Sequence, residues 1–485
     1  MRVAARIWLV PLLVGLGAYS ICIKYAASLL NDGDTLSHIV IGRWTLDHWA
    51  IPFQDPLSFT AHGQTWVPHE WLAEVVFAVL YDRLGWGGVV AGSAVAIAAA
   101  FALLTHALEK SLGPRRAAIG ACLAFFLTEA HLLARPHALA WPLLVIWMAG
   151  IIGARDAGRI PSLALIPVMI VWCNLHGGFI VGLAFAGLLA LEAIAAAPAS
   201  SRLSVLRGWG IFVGLAIASA LISPNGINLF LLPLNMLRMS WAISHISEWQ
   251  SLNVGSFHPI EVWIGLAILG GFSLGLRLPL SRIAMVLLLF YEALTHVRNI
   301  EMLGIITPLL IAAPLARQLR PAAPLEAAPD VQADRPRTVA GFAAVIVTIL
   351  TIGLGFWATA LGLNRNGLQP RETVAPVAAV AAARAAGLTG RVFNSGRFGG
   401  YLEFLGIPIF LDGRADLFGD AFLERFASAI WGIEDSLPGL LDDYAVEWTI
   451  LEPRNPGVTV LDHLPGWERI YADEYAVVFR RRAPG

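Results

Sequence analysis

The chain has 485 residues, 57% of them apolar and 14% charged, with a mean hydropathy of +0.68, far above that of water-soluble domains; this composition is that of an integral membrane protein. Thirty-three Lys and Arg against thirty-four Asp and Glu give a formal charge of −1, which leaves no global basic field to hold a nucleic acid. Cys22, Cys122 and Cys173 lie far apart in or beside apolar runs, without metal-ligand spacing.

The first apolar run, 7–30, is too long for a signal-peptide core and has no small-residue cleavage site, which predicts a retained helix. Further runs able to cross a bilayer fall at 86–107, 117–133, 137–153, 160–174, 177–197, 208–223, 260–276, 282–295, 300–315 and 338–361. The expectation is a polytopic α-helical protein of about eleven transmembrane helices. Several runs hold only about 14 to 17 strongly apolar residues and need flanking turns, local thinning or a re-entrant path to complete a crossing.

Charge sorts the loops independently of hydropathy. With a cytoplasmic N-terminus, alternate loops collect Arg2 and Arg6, Lys110 with Arg115 and Arg116, Arg155 and Arg159, Arg202 and Arg207, Arg277 and Arg282, and a Pro- and Ala-rich linker at 316–337. The opposite loops, including long insertions at 31–85 and 224–259, are poor in Lys and Arg and hold Asp32, Asp34, Asp55, Glu70, Arg135, His176, Glu248, His258, His296 and Arg298. This predicts a membrane domain over 1–361 and, beyond an odd number of helices, a periplasmic domain over 362–485 in a bacterial inner membrane.

In the first outer loop, Asn31-Asp32-Gly33-Asp34 precedes a predicted interfacial helix over 35–49 bearing Ile39, Trp44 and Trp49. Two carboxylates two positions apart can converge on one substrate group, one accepting a proton while the other positions the acceptor or a divalent cation. The alternative is structural, with Asp34 capping the helix and Asp32 in solvent. His38 and His69 can orient a carboxylate, join a metal site, or be hydrogen-bonded interfacial residues.

Later outer turns add candidates. His131 to His137 forms an abrupt connection in which Arg135 can pair with an acid or an anionic head group. Asn174 to Phe179 is a compact turn carrying His176, and Glu248 can bind substrate or pair with Arg135. His296 and Arg298 can clasp a lipid phosphate or form ordinary salt bridges.

The C-terminal part alternates strand-like runs at 390–393, 408–411, 448–451 and 475–479 with helices near 374–387 and 421–441, predicting a small α/β domain. Its Gly-rich stretch 393–401 lacks a nucleotide-binding spacing and reads as a chain turn. Asp412, Arg414 and Asp416 end a strand as an internal ion network or as an acceptor contact at the mouth of the membrane cavity.

These features resemble the GT-C superfamily of polyprenyl-phosphate-sugar glycosyltransferases. More closely, Asp32-Gly33-Asp34, Gly42-Arg43-Trp44, 52–58, Glu70-Trp71-Leu72, 174–178 and Asp412-Gly413-Arg414 look like those of bacterial GT-C-like membrane proteins. GT-C enzymes place a catalytic acid in the first outer loop, which the resemblance maps onto Asp32 or Asp34. It implies a lipid-linked sugar donor entering from the bilayer and an envelope glycan or lipid acceptor approaching from the aqueous side. No motif assigns the donor phosphate to Arg135 or Arg298, and the full signature of an oligosaccharyltransferase is missing. The expected function is inverting sugar transfer; a transporter and a non-catalytic envelope scaffold are the alternatives.

Overall fold

The structure is a computed structural model that describes residues 2–253, 258–319, 353–433 and 436–482. Residues 320–337 of the expected linker and most of the predicted last membrane run lie outside these.

Within the described residues the apolar runs are helical, but the expected count is corrected. Among the described residues five helices are long and apolar enough to cross a membrane: Trp71–Leu112, Pro136–Asp156, Phe179–Ala196, Arg202–Ala220 and Val297–Leu319. The apolar helices Trp8–Lys24, Leu163–Leu175 and Pro259–Ser273 are shorter. Pro114–Leu127 spans 14 residues and Leu280–Thr295 spans 16. At 1.5 Å per residue such helices reach only ~21–24 Å, short of a hydrocarbon layer of ~30 Å.

The 42-residue helix Trp71–Leu112 organises the bundle, and it breaks at Gly85, where φ is 59° and ψ is −158°. The amide group of Asn364, on a helix over 353–365, heals the break: Gly87 N donates to Oδ1 at 2.7 Å and Nδ2 donates to the Leu84 carbonyl at 2.6 Å. An opened helical ladder inside a bundle is tolerated only when its freed groups are satisfied in this way. The core beside it is aromatic, with Phe101, Trp141, Trp147, Trp172 and Phe212 buried. Arg282, read from sequence as a loop cation, is buried and pairs with Asp156 and Glu192, each at 2.9 Å, so three chain segments are tied by one guanidinium.

The C-terminal region carries four strands, β1 Val392–Asn394, β2 Trp448–Leu451, β3 Trp467–Ala472 and β4 Val477–Arg481, ordered β1-β2-β4-β3. The β1–β2 pair is parallel and the others antiparallel. Three strands match expectation. The 408–411 run does not join the sheet; Ile409 makes a lone bridge to Ser58 of the first loop. β3 carries no buried apolar run to mark it in sequence: only Trp467 is buried, the rest being half-buried or exposed, with Glu468 pairing with Arg480. The predicted helix 421–441 is two helices, Asp420–Ile430 and Ser436–Asp443. The Gly-rich stretch is not merely a turn: Ser395 caps a helix, Gly396–Phe404, through its side-chain oxygen.

The first-loop helix, Asp34–His48, is not an interfacial helix lying on lipid. Thr35, Leu36, Ser37, Ile39, Ile41, Gly42 and Thr45 are buried, and the helix is clamped between Trp71–Leu112 and Gly396–Phe404. Its glycines make this possible. A Cβ on Gly42 would overlap the Glu74 carbonyl, and one on Gly33 would stand 2.6 Å from the Arg397 carbonyl.

Candidate active site

Asp32 and Asp34 sit where the first helix ends and the clamped helix begins. The Asp34 amide donates to Asp32 Oδ1 at 2.8 Å, so Asp32 closes a local turn while Asp34 opens the helix. Gly33, which has no side chain, stands at the N-cap, and among the described residues the Asp34 carboxylate is hydrogen-bonded to Arg135 rather than to its own helix. Two buried hydrogen bonds then fix the neighbouring turn: Thr35 Oγ1 donates to the Ala134 carbonyl at 3.0 Å, and Ala134 N donates to the Leu29 carbonyl at 2.8 Å. Arg135 follows, held extended (φ −125°, ψ 163°) because Pro136 starts the next helix.

This geometry delivers the Arg135 guanidinium to Asp34 Oδ2 and, through its other terminal nitrogen, to Glu248, with Asp32 at 3.5 Å. Burial pushes the Asp34 carboxyl up to about 6; Arg135 opposes the rise, Asp32 adds to it, His38 opposes it and Glu248 adds to it. A carboxylate at that value is ionised at neutral pH yet more basic than an ordinary Asp, which suits a proton acceptor. Among the described residues no hydrogen bond goes to Asp34 Oδ1.

Behind Asp34 the three candidate histidines His38, His69 and His176 gather around Glu70, a carboxylate that the sequence reading did not assign to the site. Glu70 has His176 at 3.6 Å and His38 and His69 at 3.8 Å, and His38 also reaches Glu74 at 3.4 Å. Burial raises Glu70, but its histidine neighbours and Arg135 outweigh it and hold the carboxyl down to about 2. Burial takes His176 down to about 4. Its Nδ1 accepts from Gly178 N at 3.1 Å, so in the neutral ring Nε2 carries the proton towards Glu70. His38 is raised in spite of burial by its bond to Glu74 and by the Glu70, Glu74 and Asp34 charges. The signal was present in sequence: Glu70 and Glu74 are one helical turn apart and precede the long apolar run.

The remaining candidates divide. Glu248 lies in a short 3₁₀ turn with Trp249, and the Arg298 guanidinium sits 4.4 Å from the Trp249 ring centre. Leu252 N to the Leu294 carbonyl and Val297 N to the Gln250 carbonyl dock these two turns together. His296 faces Glu292 at 3.7 Å and the edge of Trp249. Arg298 makes no ion pair among the described residues and therefore keeps its charge available beside the Arg135 cluster. The side chains of Arg414 and Asp412 turn into a separate network: Arg414 binds Asp412 at 2.6 Å, Asp55 at 2.9 Å and Glu403 at 3.5 Å, an enclosed set joining the first loop to the C-terminal region. Burial raises Asp416, with His69 and then Arg414 opposing, so Asp416 borders the histidine group. Among the described residues no set of three or more His, Cys, Asp or Glu gathers as metal ligands; Asp32 and Asp34 turn to Arg135.

Comparison with solved structures places this architecture. ArnT from Cupriavidus metallidurans in the apo state aligns with 99% of this chain and 100% of its own, at 15% identity and a TM-score of 0.52. The archaeal oligosaccharyltransferase AglB from Archaeoglobus fulgidus, in complex with an inhibitory peptide and a dolichol-phosphate, aligns with 90% of this chain and 69% of its own, at 9% identity and a TM-score of 0.51. The chain therefore shares its fold with these two solved proteins. No protein-family model and no curated protein matches the sequence.

Proposed function

We propose that this chain is a membrane glycosyltransferase that moves a sugar from a polyprenyl-phosphate donor to an envelope glycan or lipid acceptor on the periplasmic face of a bacterial inner membrane. The observation that carries this reading is Asp34: a partly exposed carboxylate at the end of the helical bundle, anchored through one oxygen by Arg135 and with the other unbonded among the described residues. The solved AglB structure binds a dolichol-phosphate, which supports a lipid-phosphate donor in a fold of this kind.

In this reading Asp34 Oδ1 takes the proton of the acceptor hydroxyl as that oxygen attacks the anomeric carbon of the donor sugar. The bond from that carbon to the phosphate oxygen breaks, and the lipid phosphate leaves with the bonding pair. Direct attack opposite the leaving group inverts the anomeric centre. A lipid phosphate is an acidic leaving group, so it needs cations more than a general acid. Arg298, on the Trp249 face and without an ion pair among the described residues, fills that role, with His296 beside it. Arg135 holds Asp34 in place, Asp32 holds the turn that presents it, and the Glu70 group with His38, His69 and His176 forms the rear wall.

The test is transfer by the purified protein from a panel of polyprenyl-phosphate sugars. Removing a general base costs on the order of 10²–10⁴-fold in rate, so Asp34→Asn is expected to lose that much kcat while still binding donor. Unaltered turnover in Asp34→Asn refutes the assignment. Donor capture without turnover in the wild-type chain favours a scaffold, and net movement of a solute into sealed vesicles favours a transporter.

A further inference from the structure

Three backbone approaches press the C-terminal region onto the turn that carries Asp34. A Cβ on Gly400 would overlap the Gly33 carbonyl and stand 2.9 Å from Ser37 Oγ. The Gly33 position faces the Arg397 carbonyl from the other side. At the third, a Cβ on Gly413 would overlap Asp34 Oδ1 and lie 2.8 Å from its Cγ and 3.0 Å from Oδ2. Gly413 is itself exposed and has no left-handed φ, so nothing in its own backbone demands glycine. What demands it is the Asp34 carboxylate.

The turn bearing Gly413 is held rigidly. Arg414 N donates to Asp412 Oδ1 at 2.8 Å, and the Arg414 side chain ties the turn to Asp55. Asn394 Nδ2 donates to the Leu411 carbonyl at 2.8 Å, anchoring the preceding residue to the sheet. A turn fixed on both sides cannot retreat from an added methyl group, so the carboxylate must give way.

We infer that Gly413 is a positioning residue for the transfer reaction: its missing side chain lets the turn pack directly against the Asp34 carboxylate without displacing it from the place Arg135 sets. The C-terminal region is then a wall of the reaction centre rather than only a docking module. This rests on the role proposed for Asp34, and it adds a second chain segment, beside the Arg135 turn, that fixes where the carboxylate stands.

The charged neighbours of Asp34 are Asp32 on its own turn, His38 on its own helix, and Arg135 and Glu248 across the cleft. On the C-terminal turn, Asp412 and Arg414 are engaged with each other and Asp416 lies towards His69. A methyl group at position 413 acts on this set in one direction. It removes water from Oδ1, and it rotates the carboxylate away from Arg135; both effects raise the pH at which Asp34 ionises.

The experiment compares wild type, Gly413→Ala and Gly413→Val in the full-length protein. Gly439→Ala is the control, at a helical glycine whose Cβ would meet nothing within 4 Å. Infrared titration of the Asp34 carboxyl, assigned by difference against Asp34→Asn, requires no turnover. Gly413→Ala is expected to ionise at higher pH than wild type and Gly413→Val higher still, with Gly439→Ala unmoved. In the transfer assay, Gly413→Ala is expected to lower kcat at least tenfold and move the acidic limb of its pH profile upward, with donor Kd within about twofold. A folded Gly413→Ala protein with an unshifted Asp34 band and wild-type kcat overturns the inference. So does a loss of kcat that arrives only with lost thermal stability and lost donor binding. If the wild-type chain transfers no sugar, the functional reading fails, while the infrared series still decides whether Gly413 controls Asp34.

Discussion

Replacing Arg135 by glutamine separates its charge from its hydrogen-bonding reach, and the outcome can be worked out in advance. With Asp34 ionising at about 6, roughly 90% of it is carboxylate at pH 7. An opposite charge in contact lowers a carboxyl by ~1–3 pH units. Taking ~2 for a part-exposed pair, loss of the guanidinium moves Asp34 to about 8, leaving roughly 10% ionised at pH 7. Asp32 and Glu248, also deprived of their partner, act in the same direction. The base works above its ionisation, so Arg135→Gln should cut kcat/KM about ninefold at pH 7 through ionisation alone, with most of that factor returning by about pH 9. Any further deficit from misplacement would persist at all pH values. The assay is the pH dependence of sugar transfer in wild type and variant. An acidic limb still centred near 6 in Arg135→Gln would refute the electrostatic reasoning, however inactive the variant proved.

Two other substitutions probe separate parts of the molecule. Arg298→Ala should raise the donor KM by ~10–100-fold, the equivalent of ~1.5–3 kcal/mol for a charged hydrogen bond, with kcat changed less than about threefold; a collapse of kcat at constant KM would move Arg298 from donor binding to the chemical step. Arg414→Ala strands Asp55 and Asp412, whose side chains are at most 1% exposed. Breaking such a buried pair costs about 3–5 kcal/mol, and Glu403, raised well above the ordinary carboxyl range chiefly by burial, escapes part of it by staying protonated. A clear fall in Tm in detergent is expected, and an unchanged Tm would show that the network does not hold the C-terminal region in place.

Much of the fold was legible because bilayer helices carry their own length and apolarity. The runs that fall within the described residues are helices; what misleads is counting each as a complete crossing. Pro114–Leu127 begins immediately after Gly113, whose backbone (φ 76°) ends the preceding helix, and neighbouring packing rather than length decides how such a short segment sits. Hydropathy has no term for that. The same blindness produced the misreading of the Asp34–His48 helix. Its aromatic residues suggested a lipid surface, whereas its faces are covered by two other helices. Trp49 alone among those aromatics is almost fully exposed, at 93%.

The candidate site is legible in sequence where its chemistry is local and illegible where it depends on juxtaposition. Asp32, Asp34 and Arg135 stand out because charged residues at helix ends in an apolar chain need a reason to be there, and the Arg135–Glu248 pairing was one of the outcomes the sequence left open. Glu70 was passed over because its meaning comes from His38, His69 and His176, which arrive from three different segments. Glycines hid the rest. Gly399 and Gly400 read as part of a chain turn, and Gly33 and Gly413 carry no reading of their own, yet none of the four has a positive φ. A Cβ on Gly399 would stand 2.5 Å from the Leu411 carbonyl, and those on the other three would meet the seam around Asp34. A glycine spared for its conformational freedom and one spared for the room it leaves look identical in a sequence. Here the second kind joins the C-terminal region to the first loop, so that the acid turn, the Arg135 turn and the Gly413 turn form one structural unit although nearly 400 residues separate them.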